Sequence, residues 1–127
     1  MKRELRLTLK LALTAIVIIL IDGLYIKTIL PYIRRQVKKV QKSDMVIRWY
    51  SLVIVYIILI IGLFYFIIAP NKSVAEGAFF GAVVYGIFDF MNHTMFTRYE
   101  LPLVIMDMAW GTILCGCTTF IVKTALK

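Results

Sequence analysis

Four apolar runs, at about 7–30, 45–69, 74–96 and 98–122, take up most of the 127 residues and leave only short connections between them. Each is long enough for the roughly 20 residues that cross the hydrocarbon core of a bilayer. Hydrophobic residues make up 61% of the chain, well above the ~45–50% of a soluble domain. No stretch remains for a soluble domain. The chain therefore reads as one all-α domain, an integral membrane bundle of four transmembrane helices.

Inside those runs lie Asp22, Asp89 and Asp107. A carboxylate at the centre of a spanning helix costs roughly 2.5–3.5 kcal/mol on insertion scales, so each needs a partner, a proton or a wet cavity. The first run is too long for the 7–15 apolar residues of a signal peptide and has no small-x-small cleavage site, so it is expected to be a retained helix. Cys115 and Cys117 sit two apart and would face different ways on a helix, which leaves both as small apolar fillers.

The net charge of +8 belongs to the membrane surface, because no basic surface outside the bilayer is large enough to suit nucleic acid. Its densest part is the connector at 31–44, with Arg34, Arg35, Lys38, Lys39 and Lys42. Ile33, Val37 and Val40 form an apolar stripe beside these cations. Two forms suit the segment: a short helix lying on anionic headgroups, or a solvated connector. Four spans place both termini on one side. Lysine and arginine number seven on that side and eight on the other, so the positive-inside rule is tied. Cytosolic termini are the expectation, from the general habit of even-span proteins.

Ser73-x-x-Glu76 and Thr97-x-x-Glu100 both fit a capping box ahead of an apolar run, which predicts helix starts near Val74 and Arg98. Pro102 then falls where a missing amide costs least. At 1.5 Å per residue, Asp89, Asp107 and Asp22 lie roughly 12, 15 and 12 Å below the same face. Tyr56, on the second run, falls near that level as well. On the third helix Tyr85, Asp89, Asn92 and His93 share a stripe, and Gly77 and Gly81 allow close approach of a neighbour. On the fourth, Asp107 and Trp110 share a face, and on the first Tyr25 lies near Asp22. The sequence thus predicts a polar seam of Asp22, Asp89, Asn92 and Asp107, flanked by Tyr25, Tyr56, Tyr85, His93 and Trp110.

Interhelical hydrogen bonds in membranes contribute only about 0.6 kcal/mol each, a thin reason for keeping three aspartates. Close carboxylates at low dielectric cannot all stay ionised, so a proton shared among them would be exchangeable. A metal held by Asp89, Asp107 and His93 is disfavoured, since the single histidine lies nearer the headgroups. No hydrolase elbow, zinc-protease helix, phosphate loop or dinucleotide fingerprint occurs, and no cofactor is expected.

Three pieces carry a resemblance: Gly77-Ala-Phe-Phe-Gly81, Tyr85-Gly-Ile-Phe-Asp89-Phe-Met-Asn92 and Asp107-Met-Ala-Trp110-Gly111. They resemble a family of four-span membrane proteins known as domain of unknown function 2177, with bacterial and algal-virus members. Asp22-Gly-Leu-Tyr25 and Tyr32-Ile-Arg34-Arg35-Gln36 stand where that family has Asp-x-x-Trp and a Tyr-Arg element. Phe88 replaces the family's tyrosine before the second aspartate, and His93 lies outside its pattern. The resemblance implies the four-span fold and the polar seam. Its members' genomic neighbours hint at lipid or pigment work and imply no activity.

The leading expectation is a membrane protein that binds or moves a proton, a cation or a polar ligand at the aspartate cluster. The alternatives are an accessory subunit of a larger membrane assembly and a lipid-modifying enzyme or helper. Expected partners are the bilayer, anionic headgroups at the basic connector, and a second copy or a larger complex.

Overall fold

The computed structural model describes residues 2–127. Its elements are α1 (Arg3–Gln41), α2 (Trp49–Leu63, prolonged by a π-helical turn at Phe64–Ile68), α3 (Val74–Met95) and α4 (Leu101–Ala125). All four are long and apolar enough to cross a membrane. The protein is an integral, multi-pass membrane bundle.

Helix boundaries depart from the sequence reading at three places. The segment at 31–44 is not a separate connector: α1 runs unbroken to Gln41, with Pro31 inside it. Proline gives up one helical hydrogen bond, but the residues beyond it gain tertiary ones. Gln36 is buried and donates to the Arg98 carbonyl, and the Tyr32 hydroxyl donates to Glu100 at 2.9 Å. The helix ends at Lys42, in the left-handed region with φ of 59°. α2 begins at Trp49, later than the expected position 45, because 42–48 is taken up by the turn that Lys42 starts. α4 begins at Leu101, three residues after Arg98, and the Thr97 capping box is not made. The Glu100 carboxylate is engaged by Tyr32 and Lys39, so it does not reach back to Thr97. By contrast, the Ser73 box closes from both sides: Ser73 Oγ accepts from the Glu76 amide at 3.1 Å, and Glu76 accepts from the Ser73 amide at 2.8 Å.

The tightest packing joins α3 to α4. A Cβ on Gly81 would run into the Gly111 carbonyl, and one on Gly111 would run into the Tyr85 ring. Two backbones this close need small residues, the usual basis of helix association where lipid removes the hydrophobic drive. Thr118 and Thr119 are fully buried here, and each donates to the carbonyl four residues back at 2.7 Å, so neither leaves an unmet hydroxyl. Ile18, Leu63, Ile68, Leu114 and Val122 complete the core.

α1 runs antiparallel beside α4, and hydrogen bonds mark the register along the pair. Arg6 donates to the Leu126 carbonyl at 3.0 Å, Trp110 bonds Asp22, Tyr25 bonds Asp107, and Tyr32 bonds Glu100. α2 is held mainly through its last turns, where Leu59, Ile60, Leu63, Ile67 and Ile68 are buried. Its first half, from Trp49 to Ile58, is largely exposed and stands off from the other helices.

Candidate functional site: an intramembrane carboxylate cluster

α1, α3 and α4 each bring one aspartate to a common region of the bundle, and the three side chains have different surroundings. Asp22 is 6% exposed and fully served. Its Oδ1 accepts from the Trp110 indole at 2.8 Å, and its Oδ2 accepts from the Tyr56 hydroxyl. These bonds tie α1 to both α4 and α2. The Tyr25 ring stacks on Trp110 with centroids 4.3 Å apart, and its hydroxyl donates weakly to Asp107 at 3.4 Å. Asp107 is half-buried and lines a cavity.

Asp89 is 0% exposed. Its Oδ1 accepts from Tyr99 at 3.1 Å, while its buried Oδ2 has no donor. Its carboxyl neighbour is Asp107 on α4, itself an acceptor when ionised. Two acceptors facing each other in an apolar interior need a positive charge or a proton between them. An unmet buried carboxylate oxygen is rare enough to call for a chemical reason.

Beside the cluster lies a cavity of about 590 Å³ between α1, the splayed half of α2, α3 and the start of α4. Its walls are mostly aliphatic: Ile26 and Val37 from α1, Leu52 and Val55 from α2, Val84 and Phe88 from α3. Polar groups occupy its deep end, where Asp22, Tyr25, Tyr56, Tyr85 and Asp107 meet, while Gln36, Asn92 and Tyr99 line it nearer the α3–α4 loop.

The structure brings Asp22, Asp89, Asp107, Tyr25, Tyr56, Tyr85 and Trp110 together, with Asn92 at the cavity's edge. It does not bring in His93, which is exposed and uses Nδ1 to donate to the Tyr99 carbonyl at 2.8 Å. Among the described residues no three histidine, cysteine or acidic side chains form a metal-holding group.

Sequence reasoning missed two participants. Tyr99 lies in the loop outside the helices and turns its hydroxyl back onto Asp89. Burial raises this phenol above its usual value, with the Asp89 charge adding to the effect and Asn92 opposing it, so it stays a donor. Gln36 lies on the α1 extension and holds the same loop through the Arg98 carbonyl. The available signal was a tyrosine followed by an acid between two spans, with a glutamine on the preceding helix.

Fold and site together define a class: multi-pass membrane bundles with interhelical carboxylates beside a lateral cavity. The chain belongs to the family described as Predicted membrane protein (DUF2177), whose model matches residues 7–124. No curated protein and no solved structure matches it significantly.

Proposed function

We propose that this protein binds a membrane-soluble molecule with a cationic or hydrogen-bond-donating head and an apolar body. The head is held at Asp107 with Asp89 behind it, and the body lies between α1, α2 and α3. The observation that carries this reading is the cavity itself: mostly aliphatic walls, a group of polar side chains around Asp107, and beside them a buried carboxylate oxygen that lacks a donor. Its volume of about 590 Å³ falls within the ~300–1,000 Å³ of small-molecule sites. Asp22 has a different part. Each of its oxygens already accepts from another helix, so it holds α1, α2 and α4 together, and ligand or proton chemistry falls to the other two.

The chain carries its own reporter, because Trp110 is one of only two tryptophans and stacks on the ring that touches Asp107. Trp49→Phe leaves Trp110 as the sole emitter. In phosphatidylcholine nanodiscs, dodecylamine is expected to change its emission saturably, and adding Asp107→Asn should abolish the saturable part. A response that never saturates, or one that survives Asp107→Asn, would sink the proposal.

A further inference from the structure

A second pocket lies where the α1 extension passes over the α3–α4 loop. Lys39, Val40 and Lys42 from the extension, and Met95, Phe96, Thr97 and Arg98 from the loop, surround a surface pocket of about 320 Å³. Only two of the five basic residues singled out in the extension line it. Of the other three, Lys38 pairs with Asp44 at 3.5 Å, and Arg35 lies over the Tyr32 ring at 6.0 Å. The third cation, Arg98, comes from a part of the chain remote in sequence. Among the described residues, neither Lys42 nor Arg98 has a carboxylate partner, while Lys39 shares its charge with Glu100 at 2.8 Å. The pocket therefore keeps a net positive charge with two cations free.

Its level suits a lipid. Met95 closes α3, and both Met95 and Phe96 are exposed apolar side chains, so they mark the edge of the hydrocarbon on this face. The Lys39 ammonium reaches Glu100, next to the first turn of α4, which puts the cationic rim just outside that edge. Cations beside exposed apolar side chains at the end of a spanning helix match a phosphate diester carried on acyl chains.

We infer that Lys39, Lys42 and Arg98 form a binding site for the phosphate of an anionic phospholipid, with Val40, Met95 and Phe96 contacting its upper chain carbons. The site is separate from the cavity, and the amine titration does not bear on it.

Native mass spectrometry tests it, using protein extracted in mild detergent from vesicles of phosphatidylcholine and phosphatidylglycerol. Lys42→Gln combined with Arg98→Gln should cut retained phosphatidylglycerol by about tenfold or more. Arg34→Gln combined with Arg35→Gln removes equal charge outside the pocket and should leave retention unchanged. Both pairs of substitutions fall on exposed side chains, and in the Trp49→Phe background an unaltered Trp110 emission verifies the fold of each variant. Equal loss in the two variants, or loss in neither, overturns the site. A further arm adds inorganic phosphate during extraction. Lipid that stays bound supports the inference, whereas release at millimolar phosphate assigns the site to the free ion and overturns the lipid.

Discussion

The α3–α4 contact and the gap between α1 and the first half of α2 use the same solvent and similar apolar side chains, yet one is closed and the other open. Across the first, Gly81 lies on the Gly111 backbone and Gly111 lies under Tyr85, so the helices meet through their main chains. Across the second, large branched residues such as Leu52, Val55 and Ile33 hold the helices apart, and a cavity remains. In lipid, apolar side chains gain little from facing each other instead of acyl tails, so close approach has to be provided by small residues. Where glycine is missing, the helices are joined at points by hydrogen bonds, such as Tyr56 to Asp22.

Breaking the closed contact should have the largest effect. Gly81→Leu drives a side chain into the Gly111 carbonyl, and overpacking of this kind costs about 1–3 kcal/mol or more. The expected outcome is a large loss of thermal stability in detergent. Val55→Leu, on the open side, should stay within about 0.5 kcal/mol. If the two variants melt alike, the contrast fails.

Next come the aspartates, which divide along the same line. Asp22→Ala strips acceptors from Trp110 and Tyr56 and should cost about 1–2 kcal/mol. Asp107→Asn should barely alter stability while removing the saturable amine response. Comparing urea or SDS unfolding midpoints with the Trp110 titration separates the two roles.

Filling the gap should sharpen the picture further. Leu52→Trp places a bulky ring in the cavity wall and should weaken dodecylamine binding about tenfold while leaving unfolding unchanged. The Trp49→Phe background cannot be read alone here, so binding is followed with labelled amine.

The smallest effect is expected at the surface strap. Hydrogen bonds from Lys39 and then Tyr32 hold the Glu100 carboxyl below the ordinary glutamate value of 4.5. A depressed folded value means the strap's contribution is complete above pH 4.5 and is lost as the pH falls through the lower folded value. Protection of the 96–100 amides, taken relative to their intrinsic exchange rates, should fall only in acid, and Glu100→Gln should lower it at neutral pH.

The four spans were legible because each apolar run outlasts the bilayer thickness, and the seam was legible because helical rise converts sequence distance into depth. Asp22, Asp89 and Asp107 could thus be placed near one level without coordinates. The surroundings of each were not legible. Which aspartate is fully bonded depends on side chains from other helices, such as Tyr56 and Trp110, and on how closely those helices approach. Gln36 escaped because it lay in the expected connector, and Tyr99 because a helix start near Arg98 would have put it inside the fourth span instead of in the loop that precedes Leu101. The capping box at Thr97 failed for a related reason: its glutamate had tertiary partners, which a four-residue motif does not reveal.

Pro31 sets the α1 extension apart. It has no amide to offer the Lys27 carbonyl, so the helix lacks one main-chain bond there, and the residues beyond it are held by their tertiary contacts. Through Gln36, Tyr32 and Lys39 the extension grips the loop at 96–100, and through Tyr99 that loop supplies the donor on Asp89. One continuous series of side-chain contacts therefore runs from the extension beyond Pro31 to the most deeply buried carboxylate, Asp89.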